Sequence, residues 1–159
     1  MSTQTSELKY FHTVQYYETD AMGIAHHSNY IRWAEEARNH FLYAIGYNWS
    51  KIEQESGIMI PVLSQSVEHK KAFCFGDVVK IYTRILYFNG VKIHFEYKFY
   101  SDSKDGIYAL AETRHGFVDK ELHPIMLQNV LRSEYDNIIV NITVRRSRQS
   151  GVARATCPD

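Results

Sequence analysis

The sequence predicts an α+β domain in which a curved antiparallel sheet of about five strands wraps round one long central helix. Three observations carry that expectation. Tyr30, Ala34, Ala37, Phe41 and Ala44 or Ile45 recur at the three- and four-residue spacing that lines one face of a helix. Between Ile58 and Asp119 lie four stretches with many β-branched and aromatic residues, separated by turn residues rather than helices. Asn89-Gly90 divides two of them, and that pair tolerates the positive φ of a tight hairpin. Strands joined by turns pair antiparallel and bury one face, for which a single helix is sufficient cover.

Taken in order, Phe11 to Tyr17 reads as a first strand. A polar loop follows, then the helix, with Ser28 or Asn29 suited to cap its start and Gly46 to end it in a left-handed turn. A second, shorter helical piece opens at Tyr47, runs through Glu55 and is closed by Gly57. Ile58 to Ala72 alternates less clearly; Pro61 sits near its start, where a missing donor does least harm. Val78 to Phe88 puts Val79, Ile81, Ile85 and Tyr87 on one side. From Val91 the alternation is nearly perfect, with Val91, Ile93, Phe95, Tyr97 and Phe99 inward and Lys92, His94, Glu96 and Lys98 outward. Asp102 to Gly106 turns the chain into a last strand, Ile107 to Asp119, whose small Ala109 and Ala111 leave room for the helix or a ligand. The domain is expected to span 1–140, and 141–159 to be a polar tail.

Bulk properties narrow the function. At 159 residues, 45% of them hydrophobic and 14% aromatic, the chain suits one domain with a real core. Eighteen basic residues balance eighteen acidic ones, without the basic surplus that a nucleic-acid binder uses against phosphates. Cys74 and Cys157 form no metal-binding spacing. The polar N-terminus has no apolar signal core, and no apolar run reaches membrane-spanning length. A cytoplasmic protein is expected.

Chemistry is expected in the loop before the long helix, which contains Asp20, Gly23, His26 and His27. A helix N-terminus presents unpaired N–H groups and partial positive charge, which suit an oxyanion. Asp20 lies eight residues before Ser28, far enough for the loop to fold back, and Gly23 permits conformations that a Cβ resists. His26, His27 and Asp20 make a poor metal site, because adjacent side chains point apart and the remaining histidines are scattered. Neither a metal nor any other cofactor is expected.

Tyr16, Asp20, Gly23, His27, Asn29 and Tyr30, with Trp33, Glu36, Ala37 and Arg38 downstream, resemble a thioesterase signature. It is that of the 4-hydroxybenzoyl-CoA and Tol–Pal-associated acyl-CoA thioesterases of the hot-dog fold. The resemblance runs in register from about Val14 to Val118. It implies hydrolysis of an acyl or aryl thioester of CoA, or of an acyl carrier protein, to a free carboxylate. Asp20 would be base or nucleophile, His27 an orienting group or oxyanion donor, and Tyr16 a hydrogen-bonding neighbour. Gly23, Ser28 and Asn29 would shape the substrate site, with Lys70 and Lys71 near the CoA phosphates. It also implies a homodimer or homotetramer whose sheets join edge to edge, with the active site at the interface. A hot-dog dehydratase or hydratase and a non-catalytic acyl or carrier-protein binding module are the alternatives. The first usually shows a proline-flanked histidine motif unlike Gly23 to His27, and the second has no need of Asp20. No Gly-x-Ser-x-Gly elbow is present for a serine hydrolase.

Overall fold

A computed structural model describes residues 8–149, with side chains described through residue 142. The elements run β1 (Lys9–Thr13), a single 3-10 turn (Tyr16–Glu18), α1 (Ser28–Ala44), α2 (Trp49–Ser56), β2 (Val62–His69), β3 (Val78–Phe88), β4 (Lys92–Ser101), β5 (Ile107–Gly116), α3 (Leu127–Val130) and α4 (Arg132–Gln149). The five strands form one sheet in the order β1-β3-β4-β5-β2, every pair antiparallel. Its inner face closes on α1, as expected for this α+β class.

The stripe on α1 is buried as its spacing predicts. Tyr30, Trp33, Ala34, Ala37, Phe41 and Leu42 lie in the core, against Val79, Ile81, Phe95, Tyr97 and Phe99 of the sheet. Gly46 ends the helix at φ +90, and a Cβ there would meet the Asn137 amide at 2.7 Å, so glycine is needed twice over. Asn48 caps α2 by accepting from the Lys51 N–H, and Gly57 closes it in the left-handed region.

Several boundaries differ from expectation, each for a local reason. The first strand stops at Thr13, and Tyr16 and Tyr17 belong instead to the 3-10 turn, where both are exposed. Gln15 starts that turn and its backbone N–H donates to the Glu18 carboxylate, a local bond that takes the chain out of the sheet. In β3 a register shift between Ile85 and Tyr87 turns Tyr87 outward, while Thr83 takes its place among the buried residues. The connection after Phe88 is not a two-residue hairpin. Gly90 alone has positive φ, and the Asn89 side chain accepts from the Val91 and Lys92 N–H groups, so β4 starts at Lys92. β2 is confined to Val62–His69 and β5 ends at Gly116, with Met59 and Val118 joined by an isolated bridge.

The end of the chain departs most. The helix α4 carries on past residue 140 to Gln149, and Ile138 is buried against the core with Leu127. The tail expected from 141 is therefore helical as far as 149, and residues 150–159 lie outside the described region. Among the described residues no helix is long and apolar enough to cross a membrane.

The inner face of β5 holds a polar group among the apolar ones. His115 is fully buried, with Nε2 taking bonds from Arg38 at 3.2 Å and from the Thr113 hydroxyl at 2.8 Å. Burial pushes its imidazole down from 6.5, the Arg38 guanidinium pushes it further, and the Ile60 backbone opposes both, leaving it at about 4. The unfolded chain therefore takes up a proton that the native state refuses. Stability contributed by neutral His115 should be full above pH 6.5 and lost as pH falls towards about 4. Melting temperatures measured over that range should fall less for folded His115→Gln than for the unaltered protein.

Candidate active site

The sheet and helix leave one end of α1 accessible beside the end of β2, and the loop 19–27 folds over it. Thr19 pairs with Ala25, the Asp20 N–H donates to the Ile24 carbonyl, and the Gly23 N–H returns to the Asp20 carbonyl. The result is a tight hairpin tip in which Gly23 adopts φ +74, with open space where a Cβ would stand. Substitution at Gly23 would meet conformational resistance rather than a clash. The loop is tied to the sheet side by the Ala25 N–H on the Phe73 carbonyl.

A cleft of about 280 Å³ lies here, lined by Asp20, Met22, Ile24, Ala25, His27, Tyr30, His69, Lys70, Lys71 and Ala72. Four residues expected at the site, Asp20, His27, Lys70 and Lys71, are thus brought together. Asp20 is half-buried, and its Oδ1 accepts from the Met22 N–H at 2.8 Å. Asp20 therefore closes its own turn through its carboxylate and is also one of the residues lining the cleft.

His27 stands at the start of α1 with helical backbone angles and no capping bond from its side chain. No acidic residue occupies the first turn of that helix, so its own sequence leaves the positive end unneutralised. Among the described residues no acceptor is bonded to the His27 amide. A helix-end N–H in a cleft with a carboxylate can serve a developing oxyanion.

Ser28 and Asn29 have other tasks than those expected. Ser28 is already in the helix and His27 is its N-cap residue, while the His26 Nδ1 meets the Ser28 N–H at 3.3 Å and the Ser28 hydroxyl at 2.9 Å. Asn29 is buried, donating to the Glu18 carbonyl and accepting from Arg32. Neither lines the cleft, nor does Gly23. Tyr16 also stands apart, 77% exposed and edge-on to Phe75, and no hydrogen bond joins it to Asp20.

The two histidines do not diverge. Their rings lie 4.1 Å apart between centroids, tilted at 36°. Only His27 lines the cleft, so His26 supports its neighbour's ring and the helix start. His27→Ala is expected to lower kcat roughly ten- to a thousandfold, between an auxiliary contact and a full catalytic group, with KM little changed. His26→Ala should lose clearly less, and steady-state kinetics on the two variants side by side would check the order.

Lys70 pairs with Glu68 at 2.7 Å, and Lys71 donates to the Asp105 carbonyl and lies over the Tyr108 ring. Both backbone N–H groups donate to the Tyr108 carbonyl, which fixes the end of β2 against β5. Phe73 fills the core between Tyr30, Trp33 and Tyr108. Among the described residues no three His, Cys, Asp or Glu side chains converge as metal ligands.

Two further cleft residues were not singled out from the sequence for the site. Tyr30 was placed on the buried stripe, and burial pushes its hydroxyl up, a bond with the Phe73 backbone opposing it. His69 packs edge-on against Tyr30 at 4.6 Å, and burial, then the charge of His27, push it down. Nothing in the irregular alternation of Ile58 to Ala72 marks His69; only the pairing of β2 with β5 carries it to the cleft.

The sequence matches the Thioesterase-like superfamily over residues 14–153. It is 33% identical over 108 residues to the provisionally named acyl-CoA thioesterase YneP of Bacillus subtilis, covering 68% of this chain and 77% of that one. The 1,4-dihydroxy-2-naphthoyl-CoA hydrolase of Thermosynechococcus vestitus is 24% identical over 67% of this chain and 72% of its own. The DHNA-CoA thioesterase structure from Staphylococcus aureus superposes with TM-score 0.81, covering 92% of this chain and 95% of that one, at 22% identity.

Proposed function

The chain belongs to the Thioesterase-like superfamily and is a thioester hydrolase, and on that premise we propose that it cleaves an acyl- or aryl-CoA with Asp20 as its acid–base or nucleophilic group. The observation that supports this most is the shared cleft of Asp20 and the N-terminal end of α1. The thioester carbonyl sits between them. In one form Asp20 takes a proton from water, whose oxygen adds to the carbonyl carbon. The oxyanion is held by the His27 N–H, then the C–S bond breaks and the thiolate recovers the proton from Asp20. In the other form Asp20 adds directly, the thiolate leaves, and water opens the resulting anhydride. Either route gives one carboxylate and one free thiol.

The exposed end of β2 with Lys70 and Lys71 suits the CoA phosphates, although each ammonium already has a partner to release. β2 is a terminal strand with seven of its eight residues exposed, including Val62 and Leu63, and it runs into the cleft at His69. A second copy paired along it would remove the exposed edge and place both clefts at the interface. This supports a homodimer, alone or within a tetramer. The test is release of free thiol from short, long and aryl acyl-CoAs and from acyl carrier protein. Turnover of at least one CoA thioester sustains the proposal; no thiol from any would refute it.

A further inference from the structure

Among the described residues, the carboxylate that accepts the most hydrogen bonds is outside the cleft. Glu18 is 7% exposed, and its carboxylate meets three donors from three segments. Oε1 accepts from the Trp33 indole N–H at 2.8 Å, and Oε2 accepts from the Gln15 N–H at 2.8 Å and from His12 at 2.8 Å. Its carbonyl accepts from the His26 N–H and the Asn29 amide, each at 2.8 Å. One residue therefore joins β1, the 3-10 turn, the last loop residue but one and the first two turns of α1. Glu18 is two residues from Asp20 on one arm of the hairpin, and His26 and His27 are on the other. Burial pushes its carboxyl up, but the bonds from Gln15, His12 and Trp33 outweigh that and hold it below the usual range.

We propose that Glu18 is a positioning residue for hydrolysis, a buried carboxylate that fixes the spacing between Asp20 and the N-terminal end of α1. This rests on Asp20 being the catalytic acid. A buried carboxylate with complete donors holds its neighbours in one arrangement, whereas an amide in its place turns one acceptor into a donor. In Glu18→Gln at least one of the donors from Trp33, Gln15 and His12 then faces an N–H₂ group, and the hairpin is free to shift against the helix. Misplacement of reacting groups by about an ångström costs up to roughly a hundredfold in rate without weakening remote binding.

The test compares Glu18→Gln, His12→Phe and Asp20→Asn on one CoA thioester that the unaltered protein hydrolyses, all in a Trp49→Phe background so that fluorescence reports Trp33 alone. His12→Phe keeps a ring against Trp33 and removes one donor, a milder change should Glu18→Gln fail to fold. The expected result is a fall in kcat of roughly tenfold or more for Glu18→Gln, and a severalfold fall for His12→Phe, with KM within about twofold. Trp33 emission should shift in Glu18→Gln. Unchanged kcat in the folded variants, with Asp20→Asn inactive, would overturn the role of Glu18 and leave that of Asp20 standing. Full turnover in Asp20→Asn would overturn both.

Discussion

Asp20→Asn is expected to lose at least roughly a hundredfold in kcat while the protein stays folded, the scale of a lost acid–base group. The structure makes this a clean substitution. Asn retains an oxygen that can accept from the Met22 N–H, the bond Oδ1 now holds at 2.8 Å. The other bonds closing the hairpin, Asp20 N–H to Ile24 and Gly23 N–H to Asp20, are made by backbone. What disappears is the charge and the ability to take up a proton. Turnover and thermal melting measured together would check it: an intact melt with near-normal kcat would remove Asp20 from the chemistry.

Leu63→Glu is expected to have the next largest effect. Val62 and Leu63 are 51% and 55% exposed on a terminal strand, an unusual place to leave two aliphatic side chains. If a second copy covers that edge, a carboxylate at residue 63 would be desolvated there on both copies. The variant should be monomeric by light scattering and lose roughly tenfold or more in thiol release, because residues at the end of the same strand line the cleft. The opposite edge strand, β1, has five residues to the eight of β2 and contributes none of the residues that line the cleft. A Leu63→Glu protein that keeps both its assembly and its rate would show that the second copy does not dock there.

The central helix and β4 were legible in the sequence because a single physical pattern sets each. The α1 stripe follows a 3.6-residue period, and Ile93, Phe95, Tyr97 and Phe99 follow a period of two. The errors fall where a side chain competes with that pattern. Glu18 draws Gln15 into a turn and ends β1 early, and Asn89 bonds the backbone ahead of it and widens the hairpin. The helix starts at Ser28 with His27 in the cap position expected of Ser28 or Asn29, and the His26 ring meets the Ser28 N–H. α4 was missed because Arg132–Gln149 mixes Ile138 and Ile142 with many charged residues, and only contact with the finished sheet distinguishes it from a solvated tail. At the site, Asp20 and His27 stood out because the loop gathers acid, glycine and histidine before a helix. Glu18 passed unnoticed beside them, since its three donors come from Gln15, His12 and Trp33 and only the fold assembles them.

Mass spectrometry of the products formed from a saturated and an unsaturated acyl-CoA tests the central claim most directly. Hydrolysis predicts equimolar carboxylate and free CoA, with the acyl chain otherwise unchanged. An intact thioester that has gained or lost one water on the chain would contradict hydrolysis and identify a hydratase or dehydratase in its place.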